Sequence, residues 1–162
     1  MVKGTIRVIY GSGNGKSASA VGYGIIGALR NKKVIIVQYL KGILDEGGMD
    51  LLKRMEPEMK VFRFERSRGP FADLTEEQKK EECLNLKNGF NFAKKVIATG
   101  ECDVLIVDEV LGLVDQGVIS EEEFILFLES FDVDTDLIMT GRVCPEAFKK
   151  YADYISYVDN EK

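Results

Sequence analysis

Apolar and β-branched residues gather in six short runs, at residues 5–10 (TIRVIY), 33–39 (KVIIVQY), 60–64 (KVFRF), 103–108 (DVLIVD), 137–140 (LIMT) and 154–158 (YISYV). Runs of this length and composition predict β-strands. The middles of the second and fourth are apolar at every position, the pattern of parallel strands covered on both faces. Between the runs the apolar spacing changes to a helical one. Residues 16–30 place Val21, Ile25, Ile26 and Leu29 near helical spacing in an Ala-rich stretch. Gly22, Gly24 and Gly27 weaken that helix in isolation, so small residues there predict close packing on a sheet. A short helix is expected over 49–55. A long one is expected over 75–99, opened by a capping box of Thr75 and Gln78. Ser120 and Glu123 form a second such signature for a helix through Glu129, and Pro145 suits the first turn of a helix to about Tyr151. Strands alternating with helices predict an α/β fold with a mostly parallel sheet flanked by helices.

The 162 residues contain no linker, repeat or low-complexity segment, so residues 1–162 read as a single domain. The net charge is −5, which argues against nucleic acid as a partner. No apolar run approaches the ~20 residues of a membrane span. Residues 1–10 carry no secretory pattern, which predicts a cytoplasmic protein. Cys83, Cys102 and Cys144 are widely spaced and odd in number, so they read as reduced and mostly buried thiols. The chain has no His. That excludes Ser-His-Asp and Cys-His catalysis and His-based zinc sites, leaving proton transfer to carboxylates, Lys, Tyr or Cys. It also has no Trp.

The chemistry concentrates between the first strand and the first helix, at Gly11-Ser12-Gly13-Asn14-Gly15-Lys16-Ser17. A glycine-rich turn opening a helix presents backbone N–H groups and partial positive charge to an anion. Lys16 supplies a charge for the outer phosphates, and the Ser17 hydroxyl suits Mg²⁺. The usual phosphate loop has four residues between its outer glycines; this one has three, Ser12 to Asn14. The strand ending in Asp108-Glu109 supplies carboxylates to hold Mg²⁺ at the same sheet edge. Gln38 and Lys41 follow the second strand at that edge, and Arg142 follows the fifth, where it can pair with phosphate oxygens. Arg63, Arg66 and Arg68 form a basic cluster that reads as a solvated face.

These pieces, in this order, resemble the P-loop-type ATP:corrinoid adenosyltransferases. The carrying motifs are GSGNGKS (11–17), VIIVQYLKG (34–42), DVLIVDEV (103–110) and TGRVCPE (140–146), and the shortened loop is itself a mark of that family. The resemblance covers nearly the whole chain. It implies a RecA-like P-loop NTPase fold, usually as a homodimer. It also implies transfer of the 5′-deoxyadenosyl group of MgATP to Co(I) of a reduced corrinoid, with release of triphosphate. Co(I) is then the nucleophile, which removes the need for a His. A reductase or flavoprotein would supply the electron. The implied catalytic residues are Lys16, Glu109 and Arg142, and the implied metal ligands are Ser17 and Glu109, beside Asp108 from the acidic strand end. In the family a Phe and a Trp after the third strand press on the corrinoid; here Phe71 is the candidate for one, and no Trp is present. Two other readings stay open on the same residues: a small P-loop NTPase or phosphotransferase with Asp108 or Glu109 as base, and a nucleotide-binding module without catalysis.

Overall fold

The computed structural model describes residues 3–40, 50, 52–64, 71–131 and 134–162. Among these described residues six strands form one sheet in the order β3-β2-β4-β5-β1-β6. They are β1 (Ile6–Tyr10), β2 (Val34–Gln38), β3 (Met59–Arg63), β4 (Val104–Asp108), β5 (Asp136–Gly141) and β6 (Tyr154–Tyr157). Every neighbouring pair is parallel, so the sheet is wholly rather than mostly parallel. The helices are α1 (Lys16–Leu29), α2 (Glu76–Thr99), α3 (Leu111–Asp115), α4 (Glu121–Glu129) and α5 (Glu146–Lys149).

Alternation along the strands divides the core into two layers. Ile6, Val8, Ile35, Val37, Leu105, Val107, Leu137 and Met139 face one side. There they meet Leu86, Phe90 and Val96 of α2, Phe124 and Phe127 of α4, and Phe148 of α5. Ile9, Val34, Ile36, Val104, Ile106 and Ile138 face the other side, with Ala20 of α1. Here the small residues matter: a Cβ on Gly24 would stand 2.9 Å from Ile106 Cδ1, whereas Gly22 has open space. The predicted close packing of α1 therefore rests on Gly24, with Gly27 at ordinary contact distance.

The predicted capping box of α2 is present in both directions. At α4 only half of the box forms: the Ser120 hydroxyl accepts from Glu123 N, and no return bond is made. Pro145 precedes α5 as its cap, with an extended ψ of 142°, rather than lying in its first turn. Residues 50 and 52–53 are helical within the short helix expected over 49–55. Two elements were not foreseen: α3, and a 3-10 turn at Phe71–Asp73 inside a stretch expected to be loop. The three cysteines are free; Cys102 and Cys144 are buried and Cys83 half-buried. Because all strands run one way, the C-terminal ends of β1, β2, β4 and β5 meet at one edge, where α/β folds bind ligands.

Candidate functional site

At that edge β1 passes into the glycine loop and α1 begins. Gly11 and Gly15 take left-handed φ values of 129° and 98°, which a side chain would strain. Gly15 caps α1 with no side-chain hydrogen bond, and no acidic residue occupies the first turn. The N–H of Gly11 donates to Gly141 O (3.1 Å) and that of Gly13 to Val158 O (2.9 Å). The N–H of Asn14 donates to Asn160 Oδ1 (3.0 Å). Among the described residues no protein acceptor takes the N–H groups of Gly15, Lys16 or Ser17. Open donors thus stand at the helix N-terminus, where the helix dipole favours an anion. The Lys16 ammonium is buried and donates to Gly13 O at 2.6 Å.

Beneath the loop lies a buried polar cluster. The hydroxyls of Ser17 and Thr140 both donate to Asp108 Oδ1, at 2.8 and 2.7 Å. Thr140 Oγ1 in turn accepts from Glu109 N at 2.8 Å. Asp108 is 1% exposed, and its second oxygen, Oδ2, has no hydrogen-bond partner among the described residues. Gln38 pairs with Asp108 across the β2–β4 register, so both side chains project from the same side of the sheet. Gln38 is also 1% exposed, and both polar atoms of its amide lack partners among the described residues. Orphaned buried polar atoms are costly, which makes this cluster a place prepared for further polar groups.

Glu109 stands just beyond β4 with φ of 61°, a left-handed conformation uncommon for residues other than glycine. Burial and the neighbouring Asp108 charge push its carboxyl above the ordinary 4.5, while the charges of Lys16 and Arg142 oppose that rise. Arg142 is exposed at the end of β5. Lys16, Asp108, Glu109 and Arg142 thus share one electrostatic neighbourhood. A serine hydroxyl with two carboxylates is a set of hard oxygen donors suited to Mg²⁺. No group of three acidic, Cys or His side chains able to hold a metal occurs among the described residues. A Mg²⁺ completed by substrate phosphates needs no such group. The unpaired Asp108 Oδ2 fits that role.

The structure brings Gly11 to Ser17, Gln38, Asp108, Glu109 and Arg142 to one edge of the sheet. Lys41, Arg66, Arg68 and the side chain of Phe71 lie outside the described residues; the Phe71 backbone opens the 3-10 turn. Arg63 is exposed, as a solvated face requires. Two contributors were missed. Thr140 is expected at the tip of a strand and beside Arg142 in a motif, but not as a partner of Asp108, although strand alternation places it on the Asp108 side. Asp159 and Asn160, beyond the strand predicted to Val158, carry no local signal of a contact with the loop. That segment also changes the reason for two glycines: a Cβ on Gly11 would collide with the Val158 carbonyl, and one on Gly13 would stand 2.8 Å from the Asp159 backbone.

Comparison with known proteins gives the chain a family. The chain is 27% identical over 154 residues to the "Corrinoid adenosyltransferase" of Escherichia coli K12, covering 95% of this chain and 76% of that protein. It is also 27% identical over 154 residues to the "Corrinoid adenosyltransferase CobA" of Salmonella typhimurium LT2, with the same coverage. It is 29% identical over 161 residues to the "Uncharacterized protein all2391" of a Nostoc species, covering 93% of this chain but only 42% of that protein. The family described as ATP:corrinoid adenosyltransferase BtuR/CobO/CobP matches residues 2–162, and the chain belongs to that family of transferases.

Proposed function

We propose that the protein binds MgATP in the 11–17 loop and transfers its 5′-deoxyadenosyl group to Co(I) of a reduced corrinoid, releasing triphosphate. The observation that carries this reading is the open N-terminus of α1 standing over the Ser17–Asp108–Thr140 cluster. Attack on the ribose C5′ breaks the C5′–O bond, and the electron pair leaves with the triphosphate. The enzyme's task is to bind that developing charge and hold C5′ in line. The N–H groups of Gly15, Lys16 and Ser17 face the phosphates. The Lys16 ammonium moves from Gly13 O onto a phosphate oxygen, and Arg142 pairs with the same chain of oxygens. Mg²⁺, held by Ser17 Oγ and the Asp108 and Glu109 carboxylates, would offset negative charge on the leaving group. Gln38 supplies a buried amide for a nucleotide or solvent atom, Lys41 a further cation, and Phe71 an apolar cover for the corrinoid. No side chain takes a proton in this step, consistent with a chain that lacks His.

The same reading carries a cytoplasmic homodimer served by a reductase or flavoprotein donor, since Co(I) must arrive reduced. Among the described residues no helix is long and apolar enough to cross a membrane. The test is to incubate the protein with MgATP and chemically reduced cobalamin without oxygen, following the cobalt spectrum and the phosphate products. Adenosylcobalamin together with triphosphate is expected. ADP and phosphate would replace this reading with an NTPase, and bound but unconverted ATP would replace it with a binding module.

A further inference from the structure

The C-terminal segment touches the phosphate loop at three points. Gly13 N donates to Val158 O at 2.9 Å. The Ser12 hydroxyl donates to Asp159 Oδ1 at 3.2 Å. Asn14 N donates to Asn160 Oδ1 at 3.0 Å. The last contact bears on catalysis because of what lies across the same peptide group. The N–H of Asn14 and the C=O of Gly13 belong to one peptide plane and point to opposite sides of it. On the far side that carbonyl accepts from Lys16 Nζ at 2.6 Å. A single rigid amide therefore connects the Asn160 side chain to the Lys16 ammonium.

We propose that Asn160 is a positioning residue for the phosphate loop, acting through the Gly13–Asn14 peptide on Lys16. It rests on the reading of the loop as a nucleotide site. Without an acceptor behind it, the Asn14 N–H is free to turn, and the Gly13 carbonyl that parks Lys16 turns with it. Gly13 has no Cβ to resist such a rotation, and its tight fit against the Asp159 backbone restrains it only while that segment stays in place. Bonds on the two sides of one amide also polarise each other, so each strengthens the other. The segment takes the donors that face away from the helix and leaves those of Gly15, Lys16 and Ser17 open. A loop set in this way before the nucleotide arrives loses less freedom on binding it.

The test compares the wild type with Asn160→Ala, Asn160→Asp and, as a control in the same segment, Lys162→Ala. Amide hydrogen exchange at Asn14 is measured without nucleotide, and MgATP affinity by calorimetry. Asn160→Ala is expected to speed exchange at Asn14 and to weaken MgATP binding about three- to tenfold. Its thermal midpoint should stay near that of the wild type. Asn160→Asp keeps an acceptor oxygen and should restore protection at Asn14; Lys162→Ala should change neither quantity. Unaltered exchange at Asn14 in Asn160→Ala, or MgATP affinity within twofold of the wild type, would overturn the proposal. A wild type that fails to bind MgATP sinks the nucleotide reading alone, because protection at Asn14 still decides the contact with Asn160.

Discussion

The N-termini of α1 and α2 meet the same physical problem in opposite ways. The first N–H groups of any helix lack partners inside it. At α2 they are satisfied from within: Thr75 Oγ1 accepts from Gln78 N, the Gln78 side chain returns a bond to Thr75 N, and Glu76 and Glu77 add charge that suits the helix dipole. At α1 none of this is present. The cap is a glycine with no side-chain acceptor, and the first turn carries no acid but a lysine and a serine. Both helices start at a comparable place in the chain's alternation of strand and helix, so the difference is local chemistry. An end built to be stable is closed by its own side chains, whereas an end built to bind is left short of partners.

The largest test of that contrast is Lys16→Ala. It removes the buried side-chain cation of the open end, and MgATP binding should weaken about a hundredfold, as expected for loss of charge-assisted bonds to phosphate. Calorimetric titration measures it, and an affinity within a few-fold of the wild type would contradict the loop assignment. Next in size is Thr75→Ala, which opens the closed end. It should cost about 1 kcal/mol of stability without touching nucleotide affinity, as read by denaturant unfolding beside the same titration. If it lowered MgATP affinity, the two ends would not be independent.

The smallest effect concerns Glu109. Its carboxyl titrates above the ordinary 4.5 because burial and Asp108 disfavour the charge. The native state then holds the proton more tightly than the unfolded chain, so this group contributes its full stability only below about 4.5 and that contribution falls as pH rises through the elevated value. Glu109→Gln should therefore raise the melting temperature slightly at neutral pH, with the gain fading on acidification. A melting curve series across pH reads this directly. A gain that grew towards low pH would reverse the sign of the argument.

Much of this was legible in the chain because it depends on neighbours in sequence. Strand runs such as Val104–Asp108, the Thr75 cap and the 11–17 loop carry their own signals. What escaped depends on contacts between distant residues. The α3 turn is five residues long and its Leu111, Gly112 and Leu113 are all buried, so it shows no amphipathic period to read. Asn160 reaches Asn14 across 146 positions, and no local pattern marks a polar tail residue as part of a loop. The Ser120 signature misled for a related reason: the spacing permits a reciprocal bond, but the Glu123 side chain pairs instead with Lys94 of α2 at 3.9 Å.

The register of β4 has a consequence of its own. Its residues pair with β2 on one side, Gln38 against Asp108, and with β5 on the other, Val107 against Met139. Side chains alternate, so a slip by one residue would put Glu109 or Val107 in the place of Asp108 and turn Ile106 to the wrong layer. Two flanking strands must err together for that to happen. The accuracy with which a carboxylate meets Ser17 is thus inherited from the assembly of the sheet's middle, and a proofreading step for chemistry is already complete when the strands have paired.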